Sequence, residues 1–278
     1  MTANEGEVAF DALTPGERIY GARPSNFRAA YQLMQSAGIP LPRVYATGVT
    51  ANGAFHFQVM ELLPGVSVRE FLAWNVHPKM DALHAVVGCT LGKLHQITRP
   101  YDGWASQTQP YDTSWTEAFF AALAQVLDQA CSLNKVILEN RSTIREAIAQ
   151  SQKKWIAPSE YVFSHVDGFQ GMAHFDGNVW ALTGVVDIED HSFTDQRFVL
   201  AGHELALHFE LHQTPESFWR GYGQFAAAPD SYLSTRNIFQ LFYLLDWLQI
   251  CYDGRGHAVQ KRDALIHHFQ TLILERCT

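Results

Sequence analysis

The sequence predicts an α+β protein of two lobes, a small strand-rich one over residues 1–65 and a larger, mainly helical one over residues 66–278. Three observations predict it. Short runs rich in β-branched and aromatic residues, bounded by turn residues, fill the first 65 positions around a single amphipathic helix. Pro64-Gly65 then breaks the chain, and beyond it apolar residues recur at helical spacing almost to the C-terminus. Three strand-like runs, between residues 161 and 188, are embedded in that helical stretch.

Each element has its own signal. EVAFDAL and RIYGA read as a hairpin joined by Thr14-Pro15-Gly16-Glu17. Ser25 is placed to cap a helix whose apolar positions Phe27, Ala30, Tyr31 and Met34 fall at i, i+3, i+4 and i+7, and Gly38 stands where it stops. Pro40 and Pro42 prevent continuation. VYATGVT and FHFQVMEL form two more strands linked around Asn52-Gly53. The helical part comprises VREFLAW, DALHAVVGCTLGKLHQIT, WTEAFFAALAQVLDQACSL and a helix through REAIAQSQKKW, with a loop from Pro100 to Asp112. YVFSHV reads as a buried strand, MAHFD and WALTGVVDI as a hairpin across Gly177-Asn178, and residues from about Leu200 to Arg276 as helices.

Composition excludes several classes. A chain of 278 residues, 47% apolar and 13% aromatic, can bury one large core or two modest lobes. A net charge of −8 with 20 basic residues and no basic run argues against a nucleic-acid partner. No apolar stretch reaches the length of a membrane span, and the acidic start MTANEGEVAF has no leader pattern, so a cytoplasmic protein without a membrane partner is expected. Cys89, Cys131, Cys251 and Cys277 are scattered, with no CxxC pair, which predicts inert thiols rather than a zinc site or disulfides. Nothing in the sequence sets the oligomeric state.

Two aspartates carry the chemistry. Asp167 lies on a loop after a buried strand, and Asp187 follows it by 20 residues at the end of a hairpin. Phosphoryl transfer asks a protein to orient the attacking hydroxyl and to neutralise phosphate charge with metal, and two carboxylates so disposed can do both. AGIPLPRVYATG, VMELLPG, LGKLHQI, SHVDGFQGM, GVVDIEDHSFTD and FVLAGHELAL together resemble the aminoglycoside phosphotransferases and related small-molecule kinases, across most of the chain. SHVDGFQGM resembles that family's His-Gly-Asp-x-x-x-x-Asn loop, and GVVDIED its metal-binding Gly-Val-Ile-Asp-Trp-Glu-Asp. The resemblance implies a protein-kinase-like two-lobe fold. It implies that Asp167 handles the substrate hydroxyl proton, that His165 holds the loop, and that Asp187, with Glu189 through water, binds Mg²⁺. It also implies that backbone groups of Glu61, Leu62 and Leu63 face an adenine.

The same resemblance exposes what is missing. Kinases of this fold grip ATP with a glycine-rich loop, a strand lysine paired to a helix glutamate, and a loop asparagine on metal. No lysine precedes Lys79, no Asp or Glu lies between Glu17 and Glu61, and Met172 stands where the asparagine belongs. A thioether is a poor ligand for a hard cation. Only EVAFDAL and RIYGA precede the first helix, so the small lobe reads as truncated, and Arg18 or Arg23 could stand in for the lysine. Val166 and Val199 replace a loop glycine and a bracing aspartate.

In the last third, the interval His203-Glu204-x-x-x-His208, followed by His212, lacks the spacing that puts two imidazoles on one face, and Glu204 with His208 reads as a surface pair. Aromatic residues at helical spacing read mainly as core, while Tyr243, Asp246 and Trp247 are the candidates to meet a substrate. Three functions follow. The chain is a family protein that binds a small molecule between its lobes with ATP-dependent activity weak or lost, its aspartates reused for acid–base chemistry. Alternatively it is a phosphotransferase using Mg and ATP on a hydroxyl of a small metabolite or antibiotic, or a non-catalytic pseudokinase. The first is the reading favoured, because the missing parts would contact nucleotide and the retained ones would contact substrate; without kinase activity no cofactor is expected.

Overall fold

A computed structural model of the chain describes residues 26–49, 56–74, 79–165, 169–207, 214–253 and 262–277. The expected N-terminal hairpin, Arg18, Arg23, Ser25, the Asn52-Gly53 link, Asp167, His208 and His212 lie outside the described residues.

The small lobe holds α1 (Phe27–Ser36) and the antiparallel pair β1 (Val44–Val49) and β2 (His56–Met60). Phe27, Ala30 and Met34 are buried as the i, i+3, i+7 spacing requires. Gly38, at φ 66°, ends the helix in the left-handed region, with the Ile39 N–H donating back to Met34 O (3.1 Å). The pair β1–β2 leaves Tyr45, Val49, Phe57 and Val59 exposed.

The larger lobe begins with β3 (Val66–Ser67) and α2 (Val68–Trp74), followed by α3 (Met80–Leu94), β4 (Thr98–Arg99) and β5 (Gly103–Trp104). Helices α4 (Trp115–Leu133), α5 (Lys135–Glu139) and α6 (Arg141–Lys153) lead to β6 (Tyr161–His165), β7 (Gly171–Phe175) and β8 (Trp180–Val185). A 3₁₀ turn (Ile188–Asp190), β9 (His191–Thr194) and helices α7 (Gln196–Leu207), α8 (Glu216–Tyr222), α9 (Tyr232–Asp253) and α10 (Arg262–Glu275) complete it. Ser114 caps α4 reciprocally with Glu117, a capping box that fixes where the helix starts. The loop expected between Pro100 and Asp112 contains β5, and β9 was also unforeseen; both are too short to show periodicity, and β9 exists because β6 supplies its neighbour and β5 because β9 does, in the order β4-β6-β9-β5. A second sheet, β3-β7-β8, carries the expected hairpin.

The helical core is aromatic. Trp115, Phe119, Phe198, Phe239, Phe242 and Tyr243 are buried and in mutual ring contact, with Trp155 stacked 5.7 Å from Phe119. Arg197 enters this core because Asp195 neutralises it through a short bidentate contact, and its guanidinium lies 4.8 Å from the Trp155 ring. The cysteines are free thiols, Cys131 and Cys251 buried. Among the described residues no helix is long and apolar enough to cross a membrane.

Candidate functional site

Strand β6 is buried along its whole length, so its apolar run ends His165 at a fixed point beside β9, with His165 paired in register to His191. The two imidazoles meet edge to face at 5.1 Å. Burial holds the basicity of His165 well below the ordinary range, with further lowering from His191 and Arg69. Its Nε2 stands 3.9 Å from Asp190 Oδ2, too far for a hydrogen bond, and a neutral ring makes no ion pair there. His191 is pushed down to about 3 by burial, partly offset by bonds to backbone carbonyls; as a neutral ring its Nδ1–H donates to Asp187 O (3.2 Å).

Asp187 is exposed and adopts φ 52°, ψ 47°; among the described residues no other non-glycine has positive φ. Such a conformation costs on the order of 1 kcal/mol or more and persists only where neighbours impose it. Here they do. The Asp190 N–H and His191 Nδ1 both bond Asp187 O, and Asn26, fully buried, donates through Nδ2 to Glu189 O (2.9 Å) and His191 O (2.7 Å) while its Oδ1 accepts from the Ser106 N–H (3.1 Å). Asn26 stands at the N-cap of α1 but caps nothing, since its side chain is spent on this junction. At the other end of α1, the Val185 N–H donates to Pro40 O (2.9 Å). The helix is thereby tied at both ends to the strand and turn that present Asp187.

The interlobe segment is equally constrained. Gly65 has φ 109°, and a Cβ there would sit 2.1 Å from Ala173 O, so only glycine lets the segment lie on β7. Thr183 Oγ1 shares its hydrogen between Pro64 O (2.8 Å) and Met172 O (3.1 Å). Leu63 covers Gly184, Leu62 is 93% exposed, and Glu61 is tied to β1 by its N–H to Arg43 O (2.8 Å) and by Oε2 from the Arg43 N–H (3.1 Å). The Glu61 N–H is therefore occupied within the small lobe. Met172 pairs with Gly184 on one side and Ser67 on the other. Lys79 is engaged with Asn178, through its O (2.5 Å) and Oδ1 (3.2 Å).

The structure thus brings together His165, Asp187 and Glu189 and sets the segment 61–63 beside the same hairpin. Tyr243 and Trp247 are elsewhere in character: Tyr243 is fully buried, stacked 4.6 Å on Phe198, and Trp247 is buried between Tyr243 and Phe269. Both are core residues, placed so by the close fit of α9 on α7, where the Tyr243 ring occupies the space beside Gly202. Asp246, between them, is partly buried. Glu204 is not the surface residue expected: it is buried, accepting from Tyr232 Oη (2.9 Å) and Gln240 Nε2 (3.0 Å) and facing Arg236 (3.4 Å). Sequence reasoning missed Asn26, whose partners lie 80 to 165 positions away and leave no local signal.

Donor chemistry bears on the implied magnesium. Among the described residues no group of three or more His, Cys, Asp or Glu side chains converges as a metal site, and the β7 position that should add a hard donor carries the Met172 thioether. The described donors do not fit a two-metal nucleotide site.

No protein-family model matches the chain, and no curated protein matches it in sequence. Solved structures do match. A thermostable mutant of aminoglycoside phosphotransferase APH(4)-Ia in ternary complex with AMP-PNP and hygromycin B shares 15% identity at a TM-score of 0.61, over 93% of this chain and 83% of that one. The GDP and kanamycin complex of APH(2")-IIia aligns at 0.60 with 14% identity, over 91% and 82%. A choline/ethanolamine kinase family protein from Mesorhizobium loti aligns at 0.55 with 17% identity, over 92% and 82%. At these identities the likeness establishes the fold: a small sheet-bearing lobe and a helical lobe arranged as in small-molecule kinases.

Proposed function

We propose that this phosphotransferase-like fold binds a small molecule between its lobes and that its ATP-dependent kinase activity is weak or lost. One observation carries the reading. Helix α1 is held against the turn that presents Asp187, where a kinase of this fold keeps the acidic partner of its phosphate-binding lysine, yet FRAAYQLMQS contains no carboxylate. Lys79, committed to Asn178, offers no substitute, and Met172 weakens the metal side of the site. Each change falls on nucleotide contacts.

What is retained suits a hydroxylated or otherwise polar small molecule. Neutral His165 and His191 support the floor, and Asp187 is presented to solvent in a conformation its neighbours maintain. Together with Asp167, which follows β6, it could move a proton without phosphoryl transfer. The names of the structural neighbours, which include AMP-PNP, GDP, hygromycin B and kanamycin, favour a second reading in which Mg-ATP and a hydroxylated acceptor occupy the same place. A thermal-shift panel separates them. Hydroxylated metabolites and aminoglycosides are screened beside Mg-ATP and Mg-GTP; the proposal expects stabilisation by a small molecule and none by nucleotide. A shift of several degrees with Mg-ATP, lost in Asp187→Ala, contradicts it.

A further inference from the structure

We infer that helix α1 belongs mechanically to the larger lobe and that the β1–β2 ribbon alone is the hinged cover of the interlobe site. The inference deepens the reading above by assigning the part that admits the ligand, while the division of the small lobe itself involves no ligand. Helix α1 is fastened at both ends. At its start the buried Asn26 spends Nδ2 on Glu189 O and His191 O and its Oδ1 on the Ser106 N–H, three backbone groups of the larger lobe. Past its end the Val185 N–H holds Pro40 O (2.9 Å), and the Tyr31 hydroxyl, on the helix itself, donates to Pro42 O (3.1 Å). Between these points Phe27, Ala30 and Met34 share one buried core with Val185 and Ile188. Pulling the helix away would strand buried polar groups and expose that apolar face, so it stays with the turn that presents Asp187.

The ribbon is attached differently. None of residues 44–49 or 57–60 is buried, and among the described residues β1 and β2 pack chiefly on each other. A two-stranded ribbon of that kind is only marginally stable by itself. Its base is closed by Glu61, whose N–H donates to Arg43 O (2.8 Å) and whose Oε2 accepts from the Arg43 N–H (3.1 Å). Just outside that base the chain is clamped on both sides, through Pro40 O and Pro42 O on one and, on the other, through Pro64 O to Thr183 Oγ1 (2.8 Å) and the close seat of Gly65 on Ala173 O. The Pro42-Arg43 junction and Leu62-Leu63 are what lies between ribbon and clamps, and a few residues at the ends of elements suffice to absorb a hinge rotation. Leu41 and Leu63 both lie against Gly184, on the strand that leads into Asp187. A swing of the ribbon about these links therefore opens or covers the Asp187 side of the cleft while α1 and the turn keep their places.

The test is amide hydrogen exchange of the full chain, resolved to single residues and run without ligand. In the wild type the β1–β2 amides are expected to exchange at least about 100-fold faster than those of residues 31–34 in α1. Asn26→Ala is expected to speed α1 and residues 187–191 together by about tenfold or more and to leave β1–β2 at its wild-type rate. Glu61→Ala is expected to speed β1–β2 several-fold and to leave α1 and residues 187–191 unchanged. Comparable protection of β1–β2 and α1 in the wild type overturns the inference, and so does either variant if it fails to separate the two. If Asn26→Ala does not fold, exchange of the wild type in low urea decides: α1 is expected to open with residues 187–191 and at higher urea than β1–β2, and opening in step with β1–β2 overturns the inference. Such failure leaves the weak-kinase reading standing, since no nucleotide is present, whereas Asp187-dependent binding of Mg-ATP overturns that reading whichever part of the small lobe moves.

Discussion

Acidification from pH 7.5 to 5.5 is expected to cost this fold at least about 3 kcal/mol, through three buried histidines. His95 and His191 are held at about 3 and His165 well below its ordinary 6.5, in each case chiefly by burial. His95 is fixed in its neutral form: Gln196 Nε2 donates to Tyr222 Oη, leaving the phenol hydrogen for His95 Nδ1 at 2.7 Å. A folded-state value below the unfolded one means the stabilisation is complete above about 6.5 and drains away as the pH falls toward 3, because the unfolded chain takes up protons the folded chain refuses. Between pH 7.5 and 5.5 the unfolded chain takes up nearly one proton more per histidine, so His95 and His191 together account for about 3 kcal/mol of that loss, and His165 adds to it in the same direction. That is a large share of the roughly 5–15 kcal/mol by which domains are stable. Urea unfolding followed by fluorescence at pH 7.5, 6.5 and 5.5 measures it, and His95→Gln is expected to remove about a third of the slope. A total loss below about 1 kcal/mol would refute the burial argument.

Other outcomes follow from single positions. Asn26→Ala, which strands two buried carbonyls and one N–H, is expected to destabilise by about 3 kcal/mol in the same assay, and Asn26→Asp by more, since a carboxylate would face both carbonyls. Gly65→Ala, with φ 109° and a Cβ 2.1 Å from Ala173 O, is expected to cost at least about 2 kcal/mol and to separate the interlobe segment from β7, visible as faster amide exchange at Ala173. Asp187→Gly is expected to leave stability within about 1 kcal/mol of wild type and Asp187→Val to lower it by about 1–2 kcal/mol, because only the latter adds strain at φ 52°; equal stabilities for the two variants would show that the left-handed turn is not imposed.

Local pattern made much of the fold legible. The i, i+3, i+4, i+7 spacing of Phe27, Ala30, Tyr31 and Met34 yields α1 nearly to the residue, and the run YVFSHV, rich in aromatic and β-branched residues, yields β6, buried at every position. Residues whose character depends on distant partners were not legible. The strand β9 is four residues that need β6 beside them, and Asn26 acts on carbonyls at the other end of the sequence. Glu204 was misread because helical spacing pairs it with His208, whereas Tyr232, Gln240 and Arg236 arrive from another helix to bury it. Tyr243 and Trp247 show the limit for site residues: an aromatic stripe looks the same whether it lines a ligand or packs a core, and only the contacts with Phe198 and Phe269 decide.

The proposed loss of nucleotide grip is tested most directly by isothermal titration of the full chain with ATP in the presence of Mg²⁺, wild type beside Asp187→Ala. The expected result is no saturable heat at micromolar to low-millimolar ATP for either protein, because α1 brings no carboxylate to the Asp187 turn and Met172 replaces a hard ligand. Micromolar binding by the wild type that disappears in Asp187→Ala would contradict it, and would return the protein to working Mg-ATP phosphotransferases.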